Sequence, residues 1–207
     1  MRTKLILMTV MLYATIFAYS QTNEMLNKFE RELKAKNESV STIKCQFKQI
    51  QKISVLADIV QKNGDFYFEK PSNMLLAFKD GDYIKMNTEK FEMKMAGNVS
   101  STKISSNPML RNLRSILSAC VIGDFEQMTK GFKVSIEQTP NEWILTLTPE
   151  RGKMAAKVSS MKISFDKKDM SLNQLKMSSK SGDYTQYIFS QKQFNTKIDS
   201  QLFNIAK

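Results

Sequence analysis

Gly64-Asp65-Phe66-Tyr67-Phe68-Glu69-Lys70-Pro71, followed by Asn73-Met74-Leu75-Leu76-Ala77-Phe78 and then Asp80-Gly81, is the stretch on which the fold turns. Phe66 and Phe68 share one face of a strand while Asp65, Tyr67 and Glu69 point the other way, the period-two pattern of a sheet with one dry side. Lys70-Pro71 ends that strand, because a proline nitrogen has no hydrogen to give to a ladder. Asn73 to Phe78 is a second strand, and Asp80-Gly81 has the composition of a tight turn into a third. Two antiparallel strands and two turns in so short a span predict a meander.

The same texture extends outward. Upstream, Ile43, Cys45 and Phe47 alternate with Lys44, Gln46 and Lys48, a strand of matching parity. Before it, Met25, Leu26, Phe29 and Leu33 fall at helical spacing between Asn23 and Asn37. Downstream, Tyr83 to Asn87 and Phe91 to Met95 continue the meander. Asn107-Pro108 then opens a second helix, with Leu110, Leu113, Ile116, Leu117 and Val121 on one face and proline at the favoured first-turn position. Beyond Gly131 the strands resume as Phe132 to Glu137, Trp143 to Thr148, Met161 to Asp166, Leu172 to Met177 and Tyr184 to Ser190, with a short last one at Phe203 to Ile205. The prediction is a mainly β chain with helices, in the α+β class, of about eleven antiparallel strands. A sheet that long does not stay flat, so it curls toward a barrel.

The first residues read as an export signal. Met1-Arg2-Thr3-Lys4 precedes an apolar run from Leu5 to Ala18, and Tyr19-Ser20 supplies the small residue at a cleavage point after Ser20. Residues 1–20 are thus read as a cleaved signal peptide and 21–207 as a single domain working as a soluble, exported protein. No cysteine stands near the cleavage point to take a lipid, so no lipid anchor is expected. Cys45 and Cys120 sit inside apolar patterns and read as two small buried residues, with a disulfide between them as the alternative.

The chain contains no histidine, which excludes histidine-activated nucleophiles and most zinc sites. Asp80, Asp82 and Glu89 lie at turns, without the spacing of a calcium loop. No catalytic set, cofactor or metal is therefore expected. The net charge is +11, of which Arg2 and Lys4 in the leader contribute two. The lysines are scattered along strands and turns, so no nucleic-acid groove is expected. The 14 methionines include Met74, Met86, Met93, Met95, Met161 and Met177 on strands. Flexible, polarizable methionines on the inner face of a curled sheet suit an apolar container able to re-pack around its contents.

The run Phe47-Lys48-Gln49, then Gly64 to Pro71, then Asp80-Gly81, resembles the N-terminal half of the periplasmic outer-membrane lipoprotein carrier family, LolA. The C-terminal half is similar too, through Phe132 to Gln138, Trp143 to Pro149, Met161 to Asp166, and Gly182-Asp183-Tyr184 to Phe189, ending in Asn195 and Leu202-Phe203. The resemblance covers nearly all of the chain after the leader and rests on the order and spacing of these short motifs. It implies an unclosed antiparallel barrel whose concave apolar face is covered by a helical lid. It also implies a soluble, monomeric periplasmic carrier that takes the acyl chains of lipoproteins from an inner-membrane lipoprotein-releasing ABC transporter and delivers them to an outer-membrane acceptor or the outer membrane itself. Such proteins perform no covalent chemistry.

Within that frame the expected acyl-chain cavity is lined by Ile43, Cys45, Phe47, Phe66, Phe68, Met74, Leu76, Phe78, Ile84 and Met86, with Leu110, Leu113 and Leu117 as the lid. The family usually places an arginine before Pro71, where its fork bonds to lid-helix backbone and holds the empty cavity shut. Here the latch candidate is Lys70, which keeps the charge but cannot make the planar bidentate contact. Two rivals are a sensor module of the same fold that binds lipid or mislocalised lipoprotein, and a carrier of another envelope lipid.

Overall fold

The computed structural model describes residues 22–54, 59–106 and 108–205, with backbone alone for 108–113 and Lys153. Residues 1–21, which include the segment read as an export signal, lie outside the described residues. A first helix, α1, covers 22–37. Eleven strands follow: β1 (Thr42–Lys52), β2 (Ile59–Glu69), β3 (Asn73–Phe78), β4 (Tyr83–Met86), β5 (Lys90–Met95), β6 (Asn98–Lys103), β7 (Phe132–Gln138), β8 (Glu142–Pro149), β9 (Val158–Asp166), β10 (Leu172–Ser179) and β11 (Tyr184–Phe194). Helices α2 (Pro108–Ile122) and α3 (Phe125–Thr129) join β6 to β7, and α4 (Gly152–Lys157) joins β8 to β9.

All eleven strands belong to one antiparallel sheet in the order β6-β5-β4-β3-β2-β1-β11-β10-β9-β8-β7. Each half is a meander, and the two halves meet where β1 pairs with β11. The free edges β6 and β7 are consecutive in sequence, so the chain between them must cross from one edge of the sheet to the other. That crossing is α2 and α3, which is how a helix comes to lie over the concave face of an unclosed sheet.

The count of eleven agrees with the sequence reading, but its membership differs at two places. No strand forms at Phe203 to Ile205. Residues Ser200–Phe203 make a single 3₁₀ turn, with Asp199 accepting a hydrogen bond from the Gln201 amide. The eleventh strand is instead β6, Asn98-Val99-Ser100-Ser101-Thr102-Lys103, an exposed edge strand with almost no apolar residue to reveal its period. Helices α3 and α4 are five and six residues long, too short for a helical period to register in sequence.

The core is the concave face. Across the ladder, Ile43 pairs with Phe68 and Cys45 with Phe66, Phe66 with Leu76, and Met74 with Met86, so all fall on one side. Phe47 stands opposite Gly64, and a Cβ at Gly64 would sit 2.6 Å from the Phe47 ring and 2.3 Å from the Ala77 carbonyl oxygen. The glycine is what lets that ring lie flat on β2. On the other half, α1 buries Phe29 and Leu33 completely. The Phe29 ring meets Phe165, Phe125 and Trp143 edge-on at 5.2, 5.9 and 6.0 Å, and Glu32 accepts a hydrogen bond from the Trp143 indole. Each such buried side chain contributes about 1.5–3 kcal/mol. The seam between the halves is tied by Asn195, whose Oδ1 accepts from the Ser41 amide at 2.8 Å.

Candidate functional site

The inner face of a curled sheet is wider at its middle than the side chains of opposite strands can fill, and what they leave is covered by α2. A narrow cavity of about 120 Å³ remains there among the described residues. Phe66, Leu76, Ile84, Met86 and Phe91 form one wall, from β2 to β5. Leu175, Tyr187 and Phe189 form the other, from β10 and β11, and Leu117 closes it from α2. The only polar atom among these side chains is the Tyr187 hydroxyl, which accepts a hydrogen bond from Gln49 Nε2 at 2.8 Å. Burial pushes the Tyr187 phenol up, and the Gln49 bond opposes that shift. The phenol stays neutral.

Of the residues expected from sequence, Phe66, Leu76, Ile84, Met86 and Leu117 border this cavity together. Ile43, Cys45, Phe47, Phe68, Met74 and Phe78 lie on the same concave face but are packed into the surrounding core and do not border the free space. Leu110 and Leu113 are on α2, and their side chains lie outside the described residues. Phe91, Leu175, Tyr187 and Phe189 were not singled out. Strand parity places Phe91 with Met93 and Met95, but nothing in a lone sequence says that β11 pairs with β1 and so brings Tyr187 and Phe189 across from Phe66.

The Lys70 amine donates to the Glu38 carbonyl at 2.9 Å and to the Asn37 carbonyl at 3.4 Å. It thus caps the C-terminal end of α1, where a cation is favoured by the unpaired carbonyls. The C-terminal end of α2 packs at the same point: a Cβ at Gly123, whose φ is +79°, would lie 2.8 Å from the Leu33 carbonyl oxygen. The bond from the β2–β3 turn to α2 itself comes from a residue not foreseen. Arg114 Nη1 donates to Ser72 Oγ at 3.3 Å, and its Nε is buried with no partner among the described residues. Leaving that donor unpaired costs about 1–3 kcal/mol, so the cover is held on by apolar contact more than by this bond.

Neither cysteine is bonded to the other. Burial pushes the Cys45 thiol up to about 12 and the Cys120 thiol up as well. Both stay protonated at neutral pH, so neither is a nucleophile. Among the described residues no group of three or more His, Cys, Asp or Glu side chains could hold a metal ion, and no helix is long and apolar enough to cross a membrane.

At roughly 30 Å³ per methylene-sized group, the cavity admits about four such groups. Ligand pockets usually run from about 300 to 1,000 Å³. The cavity is therefore too small for a long apolar chain, which enters only if α2 shifts or the flexible Met86 side chain gives way.

A family model described as outer membrane lipoprotein carrier protein LolA matches residues 38–206. No curated protein sequence matches the chain. Among solved structures, an uncharacterized protein from Thermus thermophilus is similar with a TM-score of 0.51 at 7% identity, over 87% of this chain and 94% of that one. MucB is similar with a TM-score of 0.51 at 10% identity, over 88% of this chain but 63% of its own length. A LolA superfamily protein from Nitrosomonas europaea aligns with a TM-score of 0.42 at 10% identity, over 84% of this chain and 97% of that one. At these identities the likeness is one of fold.

Proposed function

Because the chain belongs to the LolA family of outer membrane lipoprotein carrier proteins, we propose that it is a periplasmic carrier that shelters the acyl chains of lipoproteins while they cross from the inner to the outer membrane. The observation that carries the reading is the narrow, almost wholly apolar cavity between the two half-sheets, beneath a helix that the topology strings from one free edge to the other. Apolar walls with no charged group among the described residues bind a hydrocarbon chain by removing it from water, at about 0.8 kcal/mol per methylene. They demand no particular head group, which suits a carrier of many cargoes. The ABC transporter that loads it and the outer-membrane acceptor that unloads it are part of the proposal, as are export by a cleaved leader, the absence of a lipid anchor and action as a monomer.

The proposed cavity includes the flanking core residues Ile43, Cys45, Phe47, Phe68, Met74 and Phe78, which border free space once the sheet and cover move apart. Lys70 keeps the empty state closed by holding the end of α1 against α2. No bond of the cargo is made or broken. Mass spectrometry of the protein purified from its native envelope tests the reading. Triacylated or diacylated lipoproteins bound at near one per chain are expected. Recovery of free phospholipid alone would instead support a carrier of another envelope lipid, and recovery of neither would overturn the carrier reading.

A further inference from the structure

The inner face of β10 and β11 does not end at the covered cavity. Leu175 pairs with Tyr187 in the cavity wall, and one pleat further along Met177 pairs with Thr185. There a second, larger pocket of about 420 Å³ is bounded by the end of β1 and by α4. Its wall is apolar, built from Ile53, Met154, Val158 and Met177. The half-buried Gln49, bonded to the Tyr187 hydroxyl, stands between the two spaces, since Gln51 two residues on borders the second. Lys52 and Lys157 also border it, and both are exposed, which places them at its rim. Asp183 borders it too, but one carboxylate oxygen accepts from the Ser54 amide and the other from the Ser181 hydroxyl. Those bonds, the Ser54 amide foremost, keep the carboxylate ionised, and Lys52 acts on it as well, so two lysines against one carboxylate leave the mouth with an excess of one positive charge.

From this we infer that the pocket is a second ligand site, separate from the covered cavity, that takes a single-chain anionic amphiphile. Its volume corresponds to about 14 methylene-sized groups, so a chain of roughly 12 to 14 carbons fills it. The chain lies against Met154, Val158 and Met177, and a carboxylate or phosphate head meets Lys52 and Lys157 in charge-assisted hydrogen bonds. Helix α4, which forms one side of the pocket, lies beside β9 and close to α2, so an occupant here sits near the helix that covers the first cavity. The assignment stands on the pocket itself and does not depend on lipoprotein carriage.

The test titrates the delipidated full chain with dodecanoate, dodecyl phosphate and the uncharged dodecyl maltoside, each below its micelle concentration. Binding of either anion supports the site, the tighter one naming its head group, with the maltoside at least tenfold weaker. The pair Lys52→Gln and Lys157→Gln weakens the anions by about fivefold to tenfold without lowering the melting temperature, and Met177→Trp, which fills the pocket, removes this binding. A Leu76→Glu chain, blocked in the covered cavity, still binds the anions and remains sensitive to the lysine pair. Equal affinity for all three ligands, or indifference to the lysine pair, overturns the inference. A measurement on the unaltered chain keeps the test independent of variant folding: dodecanoate bearing a diazirine crosslinks to peptides containing Ile53, Met154 or Met177. Crosslinks confined to peptides from Phe66 to Met86 would overturn the site.

Discussion

Replacing Leu117 with alanine sets two effects of opposite sign against each other. The side chain is 7% exposed and reaches from α2 into the covered cavity. Its loss removes buried apolar surface and enlarges a void that already exists, which destabilises the fold by about 2–4 kcal/mol. If α2 must swing away for an acyl chain to enter, however, the native leucine is also an obstacle, because opening exposes it to water at a cost of about 2 kcal/mol. The alanine chain escapes that cost, so its open fraction, and with it the apparent affinity, rises by up to roughly thirtyfold. A bound chain that would have touched Leu117 loses that contact, which brings the expected rise below that ceiling. Titration with a fluorescent palmitoyl lipopeptide, beside urea unfolding of the same samples, reads both numbers. A folded, destabilised variant with unchanged or weaker affinity would refute the idea that α2 is a moving cover.

Other substitutions probe the remaining parts. Leu76→Glu places a carboxylate in an apolar space at a cost of several kcal/mol, and it should abolish uptake of the palmitoyl lipopeptide while far-UV dichroism reports an intact sheet; retained uptake would mean the wrong face has been assigned. Lys70→Leu removes the cap on α1, worth about 1 kcal/mol at this partly exposed position, and should speed amide exchange at residues 33–38 and cargo release together, whereas no change in either would take Lys70 out of the latch role. Gly64→Ala forces a Cβ against the Ala77 carbonyl and the Phe47 ring and should lower urea stability by about 1–3 kcal/mol; a loss under about 0.5 kcal/mol would contradict that packing. The buried thiols impose a pH dependence: both stay protonated in the folded chain while unfolded thiols ionise near their ordinary value of 9.0, so their contribution is intact below that pH and is lost as pH rises toward about 12. Chemical denaturation across that window should show a slope of which each thiol contributes up to about 1.4 kcal/mol per pH unit, and a chain with Cys45→Ala and Cys120→Ala should lose that share while keeping the part due to Tyr83 and Tyr187, whose phenols burial also raises.

What could be read from the sequence follows from where period-two and helical patterns are strong. Phe66 and Phe68 announce their common face because Asp65, Tyr67 and Glu69 alternate with them, and strand parity across the Lys70-Pro71 turn carries that face to Met74, Leu76 and Phe78, which the continuous apolar run of β3 does not itself reveal; α2 announces itself through Pro108 and its leucines. The edge strand β6 carried no such signal, since a strand exposed on both faces has no reason to alternate. The C-terminal wall of the cavity was hidden for a different reason. Leu175, Tyr187 and Phe189 sit on strands that were foreseen, but their approach to Phe66 depends on the β1–β11 pairing between residues far apart in sequence. Lys70 was singled out through the family resemblance, which implies a basic latch before Pro71, whereas its bonding to the end of α1, and the approach of Arg114 to Ser72 beside it, depend on how two helices dock.

The most direct test of the carrier reading is site-specific photo-crosslinking in living cells. A photoreactive amino acid at Met86, on the cavity wall, and another at Lys94, on the opposite face of the same sheet, compare the two surfaces in one chain. The reading predicts crosslinks to the lipid-modified N-termini of lipoproteins from position 86 and none from position 94. Crosslinks absent from position 86, or equal at both positions, would contradict it.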